Sequence, residues 1–281
     1  MSIQFHFTKT KPESYDTLVL CVQRDDNKNL VLGSQAGKID SDMDNFIINV
    51  AERSSTFKGK AGQTLLIHTQ KDVPYKNVIL IGLGRDDDKD QYSSLELDIE
   101  EAGGKLHGAL KSAGAEDVVI VPEFNGDLEL ESVSTNLISG LKLAAYSFDN
   151  YTHKDKDKQD EDGKTELGKI TLVSDNPDNL RNAGEHRAAE IEGVTTARDL
   201  GNEPANKLYP DSFANFIQSE LDPLGVKVTI LTEKDLKKMG AEAFLAVGQG
   251  SDKPPRMVIM EWKGDKNSKE FANAFVGKGI T

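Results

Sequence analysis

Along residues 17–173, short runs of apolar, β-branched residues alternate with longer stretches in which apolar residues return every three or four positions. The runs 17–22, 64–69, 78–83, 117–121 and 170–173 are bounded by Gly, Pro, Asn or Asp, and most are apolar throughout. Unbroken apolar strands suit a sheet covered on both faces, because a half-exposed strand alternates with period two. Between the runs, Met43, Phe46, Ile47 and Val50 share a helical face, with Ser41 and Asp44 spaced as an N-terminal cap. Leu95, Ile99, Ala102, Leu106, Leu110 and Ala113 trace a second stripe, and Leu137, Ile138, Leu141, Ala144 and Ala145 a third. The alternation predicts an α/β fold in which each stripe lies on the sheet.

Residues 152–165 carry mixed charge and no apolar side chain, which predicts an exposed loop. After the 170–173 run, Asn176-Pro177 opens a helix through Ala188, Ile191, Val194 and Ala197 to Leu200, and a new α/β pattern starts past Pro204. The expected organisation is an N-terminal α/β domain over residues 1–176, able to fold without the rest, a connecting helix over 177–200, and the start of a second domain over 201–281. In that last part Phe213, Phe216, Ile217 and Leu221 form a helical face, 226–231 and 257–262 read as strands, and Ala274-Phe-Val-Gly-Lys-Gly-Ile-Thr281 reads as one more. A unit of ~75 residues with so few layers would bury too little apolar surface to be comfortable alone, so the chain is expected to stop inside a domain.

Charge narrows the partners. Lys and Arg number 34 against 47 Asp and Glu, a net charge of −13 over 281 residues, so the average surface repels a phosphate backbone or an anionic membrane. No apolar stretch approaches membrane-spanning length, and Met1-Ser-Ile-Gln-Phe-His-Phe7 lacks the basic start and apolar core of a signal peptide. With its single cysteine, Cys21, inside an apolar run, a cytoplasmic protein is expected. His-Glu-x-x-His, Cys-x-x-Cys and Gly-x-Ser-x-Gly are all absent. The histidines, His6, His68, His107, His153 and His186, are scattered singly, which speaks against a histidine metal cluster. Gly82-Leu-Gly84 is followed by Arg85-Asp-Asp-Asp88, which lacks a third glycine and would repel a pyrophosphate, so a turn is expected there. Gly277-Lys-Gly279 lacks the upstream glycine of a Walker loop, and the Asn150-Tyr-Thr152 sequon has no secretory context.

Three segments of the second part carry a resemblance: Arg198-Asp-Leu-Gly-Asn-Glu-Pro-Ala-Asn-Lys-Leu-Tyr-Pro210; Phe244-Leu-Ala-Val-Gly-Gln-Gly-Ser251 with Pro254-Pro-Arg-Met-Val-Ile-Met260; and Val276-Gly-Lys-Gly-Ile-Thr281. In order and spacing they resemble the leucyl aminopeptidase (cytosol aminopeptidase) family of dinuclear-metal exopeptidases. Phe57-Lys-Gly-Lys-Ala-Gly-Gln63, Val78-Ile-Leu-Ile-Gly-Leu-Gly84 and Gly140-Leu-Lys-Leu-Ala-Ala-Tyr-Ser-Phe-Asp-Asn-Tyr151 resemble that family's N-terminal domain. The resemblance implies a macro-domain-like α/β sheet domain, a connecting helix and the beginning of an α/β aminopeptidase catalytic domain. It implies removal of N-terminal residues from peptides with two divalent metal ions, manganese or zinc, and a homo-hexamer when intact; the acidic charge balance and the lack of a long apolar stretch, not the resemblance, argue against nucleic acid or a membrane as partner.

By the same resemblance Lys278 corresponds to a lysine that ligates one metal, while the remaining ligands and the catalytic residues correspond to positions beyond Thr281. No catalytic residue and at most a partial metal site are therefore expected here. A lysine ligand must be neutral, since an ammonium has no lone pair, and flanking glycines let the backbone approach the ions. The plain alternative is a solvated lysine at a strand end. Tyr209-Pro210 departs from the family's Thr-Pro; a threonine hydroxyl would cap the following helix, so this helix start is expected to be weaker by about 1 kcal/mol. A second functional reading is a macro-type ligand-binding or regulatory module without peptidase activity.

Overall fold

The 17–22 run becomes the central strand of a seven-stranded sheet. The computed structural model describes residues 3–70, 73–84, 94–123, 125, 128–151, 167–265, 267 and 273–279, and the chain divides into two units, Met1–Thr196 and Ala197–Thr281. The first unit holds β1 (Gln4–Thr8), β2 (Thr17–Arg24), β3 (Leu30–Leu32), β4 (Thr64–His68), β5 (Asn77–Gly82), β6 (Asp117–Val121) and β7 (Lys169–Val173). Their order is β1-β7-β6-β2-β5-β4, with β3 antiparallel on the end of β2. All neighbours along that order are parallel except β4, which runs antiparallel to β5.

The helices of this unit are α1 (Ser34–Ser41), α2 (Phe46–Arg53), α3 (Leu95–Ser112), α4 (Leu130–Ala145) and α5 (Pro177–Asn202), the last running on into the second unit. Side-chain alternation sends Val19, Cys21, Ile79 and Ile81 into one cluster with Ile99, Leu106 and Leu137 of α3 and α4. Leu18, Leu20, Val78 and Leu80 enter the opposite cluster with Ile47 of α2 and Phe57. Both faces of β2 are thus closed, which is why its sequence is apolar without alternation. Asp16, just ahead of β2, fixes the register. Its carboxylate Oδ2 accepts the N–H groups of Glu116 at 2.9 Å and Asp117 at 2.7 Å, and its carbonyl accepts those of Lys76 at 2.8 Å and Asn77 at 3.1 Å. One residue therefore ties the starts of β5 and β6 to that of β2.

The expected helix capped by Ser41 is two helices. Ser41 closes α1, and Asp44 and Asn45 take left-handed backbone (φ 54° and 58°) before α2 starts at Phe46. The cap of α2 is Asp40, buried, whose Oδ1 accepts the Ile47 N–H at 2.8 Å. Ala144, assigned to the third stripe, is exposed. The strands β1 and β3 and the helix α1 lie outside the expected elements, and the expectations for residues 85–88 and 152–165 fall outside the described residues.

Where α3 crosses α4 the helix backbones nearly touch. A Cβ on Gly140 would stand 1.8 Å from the Glu100 carbonyl oxygen, and one on Gly103 2.2 Å from that of Leu137. Paired glycines let the two helices cover the sheet as one layer.

The second unit contains α6 (Pro210–Leu221), a 3-10 turn (Asp222–Leu224), β8 (Lys227–Leu231), α7 (Glu233–Lys238), α8 (Glu242–Val247) and β9 (Met257–Glu261). β8 and β9 form an antiparallel pair, Lys227 opposite Glu261 and Leu231 opposite Met257. Among its described residues the buried apolar side chains are Ala214, Leu236 and Leu245.

The glycine crossing sets a contrast within one helix layer. Gly140→Ala, which forces a methyl into backbone, is expected to cost about 3 kcal/mol. Gly108→Ala on α3, where the new Cβ meets nothing within 4 Å, is expected to stabilise by about 0.5–1 kcal/mol. Urea unfolding of both variants measures the difference; equal stabilities would refute the close approach.

Candidate functional site

Lys278 lies in the segment 273–279, which has no regular structure. Its side chain is exposed, as are Phe275 and Val276 at 96% and 99%. The strand expected over 274–281 does not form over 274–279, and residues 280 and 281 are outside the described set. A strand needs a neighbour for its N–H and C=O groups, and among the described residues none pairs with this segment. A Cβ on Gly277 would meet open space, and one on Gly279 would sit 3.8 Å from the Phe213 ring, so neither glycine is held by crowding.

Two divalent ions need several oxygen, nitrogen or sulfur donors between them. Among the described residues no group of three or more His, Cys, Asp or Glu is placed to hold a metal. One exposed amine does not make a dinuclear donor set, so these residues do not form the metal site by themselves. Of the histidines, His6 and His186 are exposed, His68 Nδ1 lies 2.9 Å from Asn77 Oδ1, and burial, with Lys111 nearby, lowers the His107 pKa. His153 is outside the described residues.

The second-unit motifs meet at the start of α6. Arg256 donates from Nε to Asp211 Oδ1 at 2.8 Å and from Nη1 to the Pro255 carbonyl at 3.0 Å, tying the 254–260 segment to the first turn of α6. Tyr209 stands at the N-cap, and its side chain makes no cap bond. Ser212 supplies what is missing in part: its Oγ accepts the Tyr209 N–H at 3.0 Å, and Pro210 occupies the first helical position. The Tyr209 ring instead receives the Lys253 ammonium 4.5 Å from its centroid.

In the first unit the motif positions are packing positions. The 57–63 loop lies against the end of β5: Gly62 N–H donates to the Gly82 carbonyl at 2.9 Å, Gly82 N–H to that of Gln63 at 2.8 Å, and Gly84 N–H to that of Gly59 at 3.2 Å. A Cβ on Gly82 would be 2.2 Å from the Lys60 carbonyl oxygen, so Gly82 and the loop glycines are one contact seen from two sides. Gly140, which opens the third motif, is the α3–α4 crossing.

A cavity of about 530 Å³ opens in the first unit at the N-terminal ends of β2, β5 and β6, lined by Tyr15, Asp16, Thr69, Tyr75, Lys76 and Asp117 among others. Its polar groups hold the fold: Asp16 is engaged with backbone amides, and Tyr15 and Tyr75 stack at 5.3 Å. Burial raises the pKa of both phenols and pushes the buried Cys21 thiol up to about 12, leaving it un-ionised at neutral pH.

Arg187 on α5 escaped the sequence reading. It donates from Nε to Ser139 Oγ at 2.8 Å, from Nη1 to Glu190 at 2.6 Å, and from Nη2 to Asn136 Oδ1 at 3.2 Å and to the Glu100 carboxylate. Burial alone would lower its pKa, but the hydrogen bond to Glu190 and the charges of Glu100 and Glu190 hold it above the ordinary value. The only sequence signal was the i,i+3 spacing from Glu190.

Two family models match the chain in tandem: "Cytosol aminopeptidase family, N-terminal domain" over residues 19–155 and "Cytosol aminopeptidase family, catalytic domain" over residues 195–281. A protein of Chelativorans sp. named "Probable cytosol aminopeptidase" is 38% identical over 229 residues, covering 81% of this chain and 43% of its own length. One of the same name from Rhizobium etli is 36% identical over 235 residues, covering 83% and 45%. The chain thus spans less than half the length of these curated relatives. Among solved structures, a tomato leucine aminopeptidase mutant superposes with a TM-score of 0.70 at 20% identity, covering 92% of this chain and 50% of that one. The bottromycin maturation enzyme BotP in complex with Mn gives 0.61 at 19%, covering 87% and 44%. These two likenesses bear on the fold. Among the described residues no helix is long and apolar enough to cross a membrane.

The Arg187 cluster yields a test of what fastens α5. Arg187→Met leaves Glu100, Asn136 and Ser139 without their shared donor and is expected to cost about 1–2 kcal/mol, solvent screening included. Arg187→Lys is expected to recover only part of this, because an ammonium cannot reproduce the planar fork. Chemical unfolding of the three proteins reads the order, and a lysine variant as stable as wild type would contradict it.

Proposed function

Because the chain belongs to the cytosol aminopeptidase family, we propose that it acts in the hydrolysis of N-terminal residues from peptides, as part of a metallo-aminopeptidase of the leucyl aminopeptidase type. The observation that carries this reading is the tandem match to both domains of one family, in order, over residues 19–155 and 195–281. Residues of the first unit supply an N-terminal α/β domain, and those after α5 supply part of a catalytic domain. The proposed cofactors are two divalent ions, manganese or zinc; a Mn complex among the structural neighbours favours manganese. The proposed setting is the cytoplasm, after the name of the relatives, and the proposed assembly a homo-hexamer.

Lys278 is the proposed metal ligand within the chain. Its exposed position in 273–279 leaves the amine free to turn toward a metal once other donors surround it. Those donors are not assembled among the described residues, so residues 1–281 alone are proposed to lack activity. The working site requires additional polypeptide, as in relatives more than twice the matched length.

Two outcomes test this. Residues 1–281 incubated with leucine p-nitroanilide and excess manganese are expected to release nothing above a metal blank; saturable turnover abolished by a chelator would overturn the claim of inactivity.

In a protein that carries Lys278 together with a complete family catalytic domain, Lys278→Arg is expected to be as damaging as Lys278→Ala, because a guanidinium stays protonated and cannot coordinate. Metal content and kcat are the measurements, and an arginine enzyme with two metals per subunit and near-normal kcat would remove Lys278 from the site.

A further inference from the structure

Beyond the paired part of β2 and β6 the sheet is continued by a side chain. Leu20 opposite Val121 is the last pair of the two strands. Three residues further along β2, the buried Gln23 turns its amide to the main chain of Asn125: Oε1 accepts the Asn125 N–H, and Nε2 donates to the Asn125 carbonyl at 3.3 Å. One primary amide thus holds both main-chain groups of Asn125, as a neighbouring strand would. Asn125 itself is exposed, and among the described residues nothing holds its side-chain amide. Of all the asparagines in the chain, it alone precedes a glycine, Gly126. Asparagine amides are thermolabile, most of all ahead of glycine, because no Cβ crowds the next main-chain nitrogen.

We propose that Asn125 is a site of spontaneous deamidation whose rate is set by Gln23. The reaction needs only water. The main-chain nitrogen of residue 126 forms a bond to Asn125 Cγ and loses its proton, while the Cγ–Nδ2 bond breaks and ammonia leaves. Water then opens the cyclic imide at either carbonyl, giving aspartate or isoaspartate. For the first step, the peptide plane joining residues 125 and 126 must rotate until its nitrogen faces Cγ. That nitrogen and the Asn125 carbonyl belong to one rigid plane, so the bond from Gln23 Nε2 to the carbonyl resists the rotation. Conversion therefore waits for the clamp to open locally. Isoaspartate carries the main chain through Cβ, one carbon longer, and the two groups that Gln23 spans no longer match it. Either product also adds a negative charge two residues from Glu123, whose carboxylate holds the first N–H groups of α1. The modification thus loosens, irreversibly, the segment that follows β6.

Residues 1–281, the Gln23→Leu variant and a free peptide of residues 121–129 would be held at one neutral pH and one temperature. Products at position 125 are followed by peptide mapping that separates aspartate from isoaspartate. Wild type is expected to convert at position 125 about tenfold or more slowly than the free peptide, since two hydrogen bonds must open first. Gln23→Leu is expected to recover most of the peptide rate while keeping the wild-type circular dichroism. Equal rates in wild type and variant would overturn the proposal, as would a folded variant with no product at 125 once the peptide has converted. Should Gln23→Leu fail to fold, hydrogen exchange at the Asn125 N–H of wild type decides. Slow exchange with slow but measurable conversion upholds the clamp and the site; exchange or conversion at the free-peptide rate, or no conversion at all, overturns them.

Discussion

The contact between Gly140 and the Glu100 carbonyl is the constraint from which most of the first unit follows. Only two facing glycines let α3 and α4 approach this closely, and that approach turns two helices into one lid over Val19, Cys21, Ile79 and Ile81. It also brings the side chains of Glu100, Asn136 and Ser139 within reach of a single guanidinium. Arg187 closes the set, and with it the first part of α5 is fastened to the layer. Where the chain leaves this domain is therefore decided by two hydrogen atoms standing where methyl groups would otherwise be.

Legibility in the sequence tracked burial on both sides. Residues 78–83 announced a strand because both faces of β5 are covered, and the α3 stripe from Leu95 to Leu110 announced a helix because one face is. Gln4–Thr8 did not, since it is an edge strand whose residues are only partly covered. Helix α1 was hidden for another reason. Its first N–H groups, those of Gln35 and Ala36, are satisfied by the Glu123 carboxylate at 2.7 and 2.8 Å, from almost ninety positions downstream, where no local cap signal can reveal it. The split between α1 and α2 was lost because Ser41 and Asp44 mimic a cap, while the carboxylate that does the capping, Asp40, sits one residue earlier.

The motifs that pointed to the family divide by what they do. Those of the first unit mark places where backbone meets backbone: the 57–63 loop against Gly82, and Gly140 against α3. They could be recognised from sequence, but their reason could not, since each is half of a contact whose other half is distant in the chain. Those of the second unit are partly explained by the Arg256–Asp211 pair and by Lys253 on the Tyr209 ring. Lys278 is the exception. Nothing around it among the described residues accounts for a lysine between glycines.

Cys21 carries a practical consequence. The sole thiol of the chain lies in the central strand under the α3–α4 layer, fully protonated at neutral pH. A disulfide can form only between two molecules, and only after that layer has lifted from each. In air without reductant, cross-linked dimers would accumulate only through that opening, so at fixed oxidant and protein concentration the slow ageing of a stored sample becomes a record of how readily the domain comes apart.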